Sequence, residues 1–192
     1  QLVGNNEQIT DLCFLGPKHL VIATNSQYIR IYDTETFSCL SSCPGHTDIV
    51  LALQAQQVGE GRFLIASGGK DNTLLLWDSD LTSDAALCGK AEGHFTAIES
   101  LAFANRKGSG AAASASSPFG GCAEYICSGD GDGFIKLWDM SWLSKQQRGQ
   151  PVRRAAAGEA ETPHAMSTVS TTAAHQKDVN TVAFSPDNSL LC

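Results

Sequence analysis

Apolar residues along this chain fall at fixed distances from a recurring dipeptide. Gly45-His46 returns as Gly93-His94 and, with the glycine replaced, as Ala174-His175. Four and seven positions after each histidine stand Val50 and Leu53, Ile98 and Leu101, Val179 and Val182. A phenylalanine follows at the ninth position in two copies, Phe103 and Phe184. Counting back from Ile9, Leu12 and Phe14 puts Asn5 at the histidine position, which makes Gly4-Asn5 a degenerate copy. Each complete copy closes on a short apolar run with an aromatic and an aspartate: Ile29-Arg30-Ile31-Tyr32-Asp33, Leu74-Leu75-Leu76-Trp77-Asp78 and Ile135-Lys136-Leu137-Trp138-Asp139. Before the last two runs lies a turn rich in Gly and Asp, Ser67 to Asn72 and Ser128 to Gly133. Short β-prone runs with such punctuation predict strands joined by tight turns, and no segment carries helical periodicity over three turns. Self-similarity at this period is the mark of a repeat architecture. A generic β-sandwich does not explain a His and a Trp returning at matched places.

The repetition also decides how the polar residues are read. His46, Ser67 and Asp71 are the residue types of a hydrolase triad, but His94, Ser128 and Asp132 repeat them, each set followed by Trp77 or Trp138 at the same distance from its serine. Chemistry needs a site once, whereas architecture needs its fastening in every unit, and a triad is recognised by geometry and role. The expectation is a structural chain in each repeat. The indole N–H donates to the serine hydroxyl, the hydroxyl to the histidine, and the histidine to a carboxylate. The first repeat has Asn5 and Tyr32 at the corresponding places and a shorter turn, so packing alone is expected to hold it.

This Gly-His opening and Trp-Asp close resemble the WD-repeat family, and the resemblance covers nearly the whole chain. It implies an all-β fold of four-stranded antiparallel blades, packed radially as a β-propeller. The repeats then run over about residues 1–43, 44–91, 92–173 and 174–192, the first degenerate and the last broken off. About three and a half blades leave a ring unclosed, so the chain is expected to be part of something longer, with the remaining blades supplied by the rest of the same chain.

Composition narrows the function classes. No run reaches the ~18 apolar residues of a membrane helix, so no membrane role is expected. The seven cysteines are scattered without a Cys-x-x-Cys pair or a disulfide framework, which predicts reduced, mostly buried thiols and no structural zinc. No cofactor, metal or catalytic residue is assigned. Gly108 to Ala113 matches a dinucleotide fingerprint by letters, but Pro118 and Gly120-Gly121 leave no room for its helix. Asp130-Gly131-Asp132-Gly133 hints at a calcium loop, yet Ser141 stands where the closing glutamate belongs.

The net charge of −7 confines any polyanion contact to a local basic patch. Two insertions interrupt the third repeat, residues 105–121, rich in Ala, Ser and Gly, and residues 140–165. In a blade both would emerge on the face opposite the Gly-His loops, and their composition predicts flexibility. The second carries Lys145, Arg148, Arg153 and Arg154 with no acid until Glu159, the candidate contact for RNA or an acidic partner. Trp142 beside it has two readings, stacking on a base or capping the bottom of the blade.

Segments Gln1 to Gly4, Asp11 to Pro17, Gly45 to Leu53 and His175 to Phe184 resemble the tandem-propeller WD proteins of the nucleolar small-subunit processome, at the start of the second propeller. The alanine-rich insertion departs from that group. The resemblance implies a nuclear, nucleolar scaffold in small-subunit pre-rRNA processing. Its partners would be other WD-repeat processome proteins, the small nucleolar ribonucleoprotein and pre-rRNA. Two other classes stay open: a substrate receptor of a cullin-type ubiquitin ligase, and a signalling scaffold like a G-protein β subunit.

Overall fold

The computed structural model describes residues 7–59, 61–79, 85–105, 124–144 and 162–192. In the first sheet, β1 (Ile9–Leu15), β2 (His19–Thr24), β3 (Tyr28–Asp33) and β4 (Cys39–Pro44) pair antiparallel in chain order. The second sheet repeats this with β5 (Val50–Gly59), β6 (Arg62–Gly69), β7 (Leu74–Ser79) and β8 (Ala86–Ala91). The third uses β9 (Ile98–Phe103), β10 (Tyr125–Asp130), β11 (Phe134–Asp139) and β13 (Thr168–Ala173). A helical turn, α1 (Ser141–Ser144), and a two-residue strand, β12 (His164–Ala165), lie between β11 and β13. The fourth repeat contributes a bridge between Phe184 and Leu191 around the Ser185–Asn188 turn.

The sheets stack face to face, and β5 lies against both β1 and β9. The middle strand β6 shows why its sequence is apolar on both faces. Ile65 packs with Val21, Ile29, Ile31 and Trp77 towards the first sheet, while Leu64 and Ala66 pack with Ile98, Leu101, Ile126 and Trp138 towards the third. Side chains alternate across a strand, so a sheet buried on both faces reads as a continuous apolar run. Trp77 and Trp138 each face the preceding sheet and are fully buried. Removing such a side chain from water stabilises by about 25 cal/mol per Å² of apolar area.

One close approach repeats between neighbours. A Cβ on Gly68 would sit 2.6 Å from Ile98 Cγ2, and a Cβ on Gly129 would sit 2.5 Å from Val179 Cγ1. Ile98 and Val179, each four positions after its histidine, thus rest on the backbone of the preceding sheet where a glycine leaves space, whereas the first sheet carries Ala23 at that register. Polar links run beside it. The Thr10 hydroxyl donates to the Val50 carbonyl (2.6 Å), Leu53 N–H to Asp11 Oδ2 (2.6 Å), and the Ser100 hydroxyl to the Val179 carbonyl (2.8 Å).

The stretch expected as a second insertion, 140–165, is structured at both ends. Asp139 caps α1, accepting Ser141 N–H (2.8 Å) and the Ser141 hydroxyl (3.0 Å). At the other end β12 pairs in parallel with β8 of the neighbouring sheet. Two residues carry no readable periodicity, and their partner belongs to another repeat.

Candidate functional site

In the second sheet, Trp77 Nε1–H donates to Ser67 Oγ at 2.9 Å, and Ser67 Oγ lies 2.7 Å from His46 Nε2. His46 Nδ1 meets the Asp71 carboxylate at 3.0 and 3.1 Å. With the indole donating to Ser67, the hydroxyl proton goes to His46 Nε2, which leaves Nδ1–H for the carboxylate. Asp71 also accepts Thr47 N–H (2.9 Å), Thr73 N–H (3.1 Å) and the Thr73 hydroxyl (2.8 Å). Burial alone would push this carboxyl up, but the bonds from His46 and Thr47 outweigh it and hold it well below the usual carboxylate range. The network joins the Gly-His loop, which precedes β5, to the turn between β6 and β7.

The third sheet builds the same chain with one change. Trp138 Nε1–H donates to Ser128 Oγ (2.8 Å), and Ser128 Oγ lies 2.7 Å from His94 Nε2. His94 Nδ1, however, meets Asp130 Oδ2 at 2.6 Å. Asp132, the expected carboxylate, instead gives its backbone N–H to Asp130 Oδ1. The cause lies at the register position that Gly69 occupies in the second sheet. A Cβ there would stand 2.7 Å from His46 Nδ1, so an aspartate at that place reaches the imidazole first. Asp130 Oδ1 also accepts Phe134 N–H (2.8 Å), the donor equivalent to Thr73 N–H. Burial lowers the pKa of His94, against the opposing pull of the Asp130 carboxylate.

Packing alone does not hold the first sheet, contrary to the reading of its sequence. Ile22 takes the serine register there, but Glu7 Oε2 receives the Thr24 hydroxyl (2.6 Å) and Arg30 Nη1 (2.9 Å) at the same corner. The Glu7 pKa is lowered, first by the Thr24 bond and then by Arg30. Sequence reasoning missed this cluster because none of its residue types belongs to the repeated set.

A catalytic reading fails on access. Ser67 and Ser128 are 0% exposed, and each already lies under an indole N–H. Burial pushes the Cys13 and Cys127 thiols up to about 12, so neither is a ready thiolate. Among the described residues no group of three or more His, Cys, Asp or Glu side chains suits a metal ion, and no helix is long and apolar enough to cross a membrane.

Trp142 packs against the core between the second and third sheets, and its ring stacks on His164 (centroids 4.2 Å apart, planes at 25°). Of its two sequence readings, the structure favours capping. Lys145, Arg148, Arg153 and Arg154 lie outside the described residues, as does nearly all of the 105–121 insertion. Asn105, at its root, exchanges side-chain bonds with the fourth repeat. It gives N–H to Asn188 Oδ1 and receives Asn188 Nδ2 on its carbonyl, both at 2.6 Å.

The profile of the WD domain, G-beta repeat, matches residues 37–78, 87–139 and 166–192, well over half the chain. The chain belongs to the WD-repeat family. Its three complete sheets are WD blades, and with the fourth repeat they form part of a β-propeller. The WD chain is 29% identical over its whole length to transducin beta-like protein 3 of Bos taurus and 28% identical to that of Homo sapiens. It is 27% identical, over 98% of its length, to U3 small nucleolar RNA-associated protein 13 of Saccharomyces cerevisiae. It spans about a fifth of the length of these curated relatives (20–21%). Among solved structures it resembles U3-55K, with a TM-score of 0.65 and 20% identity over 95% of this chain and 44% of that one. The RRP9 WD40 repeats match equally well, with a TM-score of 0.65 and 20% identity over 95% of this chain and 43% of theirs. At that identity the two structures speak for the fold alone.

Proposed function

We propose that this WD chain is a non-catalytic interaction scaffold in ribosome biogenesis, supporting small-subunit pre-rRNA processing within the nucleolar processome. The observation that carries the reading is the likeness of this whole chain to about a fifth of transducin beta-like protein 3, joined by the likeness to a yeast protein named for association with the U3 small nucleolar RNA. The site geometry fits it. His46, Ser67, Asp71 and Trp77, with His94, Ser128, Asp130 and Trp138, spend their polar groups on one another inside the blades and leave loop surfaces for docking.

On this reading the protein works in the nucleolus. The rest of its own chain completes the ring, and other WD-repeat processome proteins, the small nucleolar ribonucleoprotein and pre-rRNA are its partners. Lys145, Arg148, Arg153 and Arg154 form the basic contact of an otherwise acidic chain. Affinity purification of the full-length protein tests the proposal. Processome proteins and U3-type RNA are expected in the eluate. Recovery of a cullin adaptor, or of a Gγ-like peptide, without ribosomal precursors would overturn it.

A further inference from the structure

We propose that the outer edge of the second blade is a docking groove for a short extended segment, and that the chain fills it in cis with His164–Met166. Strand β8 is the last hydrogen-bonded strand of that blade's own meander, and such an edge offers unpaired N–H and C=O groups to any neighbouring strand. It does not stay open. β12 lies along it in parallel register, His164 opposite Gly89 and Ala165 opposite Lys90, and Met166 N–H donates to the Lys90 carbonyl at 2.8 Å. The other strand pairings are antiparallel. A parallel neighbour cannot be the continuation of a hairpin. The segment comes from the connection within the third blade and sits on the second as a separate peptide would, with backbone bonds for affinity and alternate side chains for specificity.

Two side-chain seats define the groove. Met166 is buried in the core shared by the second and third blades, beside Met140 and Leu143. His164 lays its ring on Trp142, and Trp142 in turn occupies a notch over Gly89, where a Cβ would stand 3.3 Å from the indole and 3.3 Å from Leu76 Cδ1. The notch is particular to this blade. The residues at the same register, one step before the irregularity opposite the aromatic, are Ser41 in the first blade and Ser170 in the third. Trp142 Nε1 has no acceptor among the described residues, so packing and the imidazole stack hold the ring there. The connection is also drawn shut at its base, where Asp139 N–H donates to the Ser167 carbonyl at 3.0 Å. The groove accepts an extended segment with a flat ring at one position and an unbranched apolar side chain two residues on.

Hydrogen exchange and peptide binding test this on the full-length protein. In the wild type the Met166 amide should exchange about fivefold or more slowly than in a free peptide of residues 162–168, as one retained hydrogen bond requires. Met166→Asp empties the apolar seat, and the variant should then bind that synthetic peptide saturably while the wild type does not. Adding Gly89→Val, which fills the notch, should abolish the binding. His164→Ala, on an exposed side chain, should raise Met166 exchange without changing protection of β10, which keeps the test readable if the double variant fails to fold. An unprotected Met166 amide in the wild type would overturn the proposal. So would equal peptide binding by wild type and Met166→Asp, or no binding by a folded Met166→Asp variant.

Discussion

Asp130 lies 2.6 Å from His94 Nδ1, two residues before the register at which Asp71 serves His46. The third blade has therefore moved the carboxylate along the chain while keeping the hydrogen bond. Removing a buried polar partner costs about 1–3 kcal/mol. Asp130→Ala and Asp71→Ala should each destabilise by about that amount in chemical denaturation, whereas Asp132→Ala, at an exposed position, should stay within about 0.5 kcal/mol of wild type. Equal losses at Asp130 and Asp132 would refute the shifted register.

The same pair predicts a pH dependence. His94 has a folded pKa below its unfolded value of about 6.5, so the unfolded chain binds the proton more readily. Its contribution to stability is complete above that value and is lost as pH falls below it. Unfolding followed between pH 7.5 and 5 should show stability falling with acid, and His94→Gln should flatten the slope. Asp71, with its depressed folded pKa, adds a second loss that sets in below about pH 5 and grows as pH falls through its unfolded pKa of about 4.

Gly68 and Gly129 supply a packing test free of left-handed strain. Both sit in strands, and a methyl at either meets the branched side chain of the next blade at about van der Waals violation, 2.6 Å for Gly68 and 2.5 Å for Gly129. Gly68→Ala should cost about 1–3 kcal/mol, the usual penalty of overpacking. Shortening the partner in the same molecule, Ile98→Ala, should recover part of the clash term, so a double-mutant cycle reads the blade-to-blade coupling directly.

These results separate what the amino-acid order makes legible from what it hides. Val50, Ile98 and Val179 stand four positions after their histidines because each must fit against the preceding blade, and that constraint writes itself into the spacing. The Trp77–Ser67–His46–Asp71 chain is legible for the same reason, since each member has a repeated counterpart. Asp130 was hidden because two aspartates flank one glycine, and only the position of a Cβ relative to the imidazole ring decides between them. Glu7, Thr24 and Arg30 were hidden because they solve the corner problem once, with other chemistry. β12 was hidden because its partner strand lies in a different repeat, where no local period points.

The basic cluster is tested by charge alone. Reversal of Lys145, Arg148, Arg153 and Arg154 to Glu should weaken crosslinking to RNA or to an acidic partner while leaving the melting temperature unchanged. Crosslinking that survives all four reversals would remove the cluster from the account.

Depletion of the protein, followed by probing of ribosomal RNA precursors, tests the scaffold reading most directly. The account predicts that small-subunit precursors accumulate while large-subunit processing continues, and that re-expressing a folded Ser67→Ala variant restores maturation because that hydroxyl performs no chemistry. Normal small-subunit maturation after depletion would contradict it.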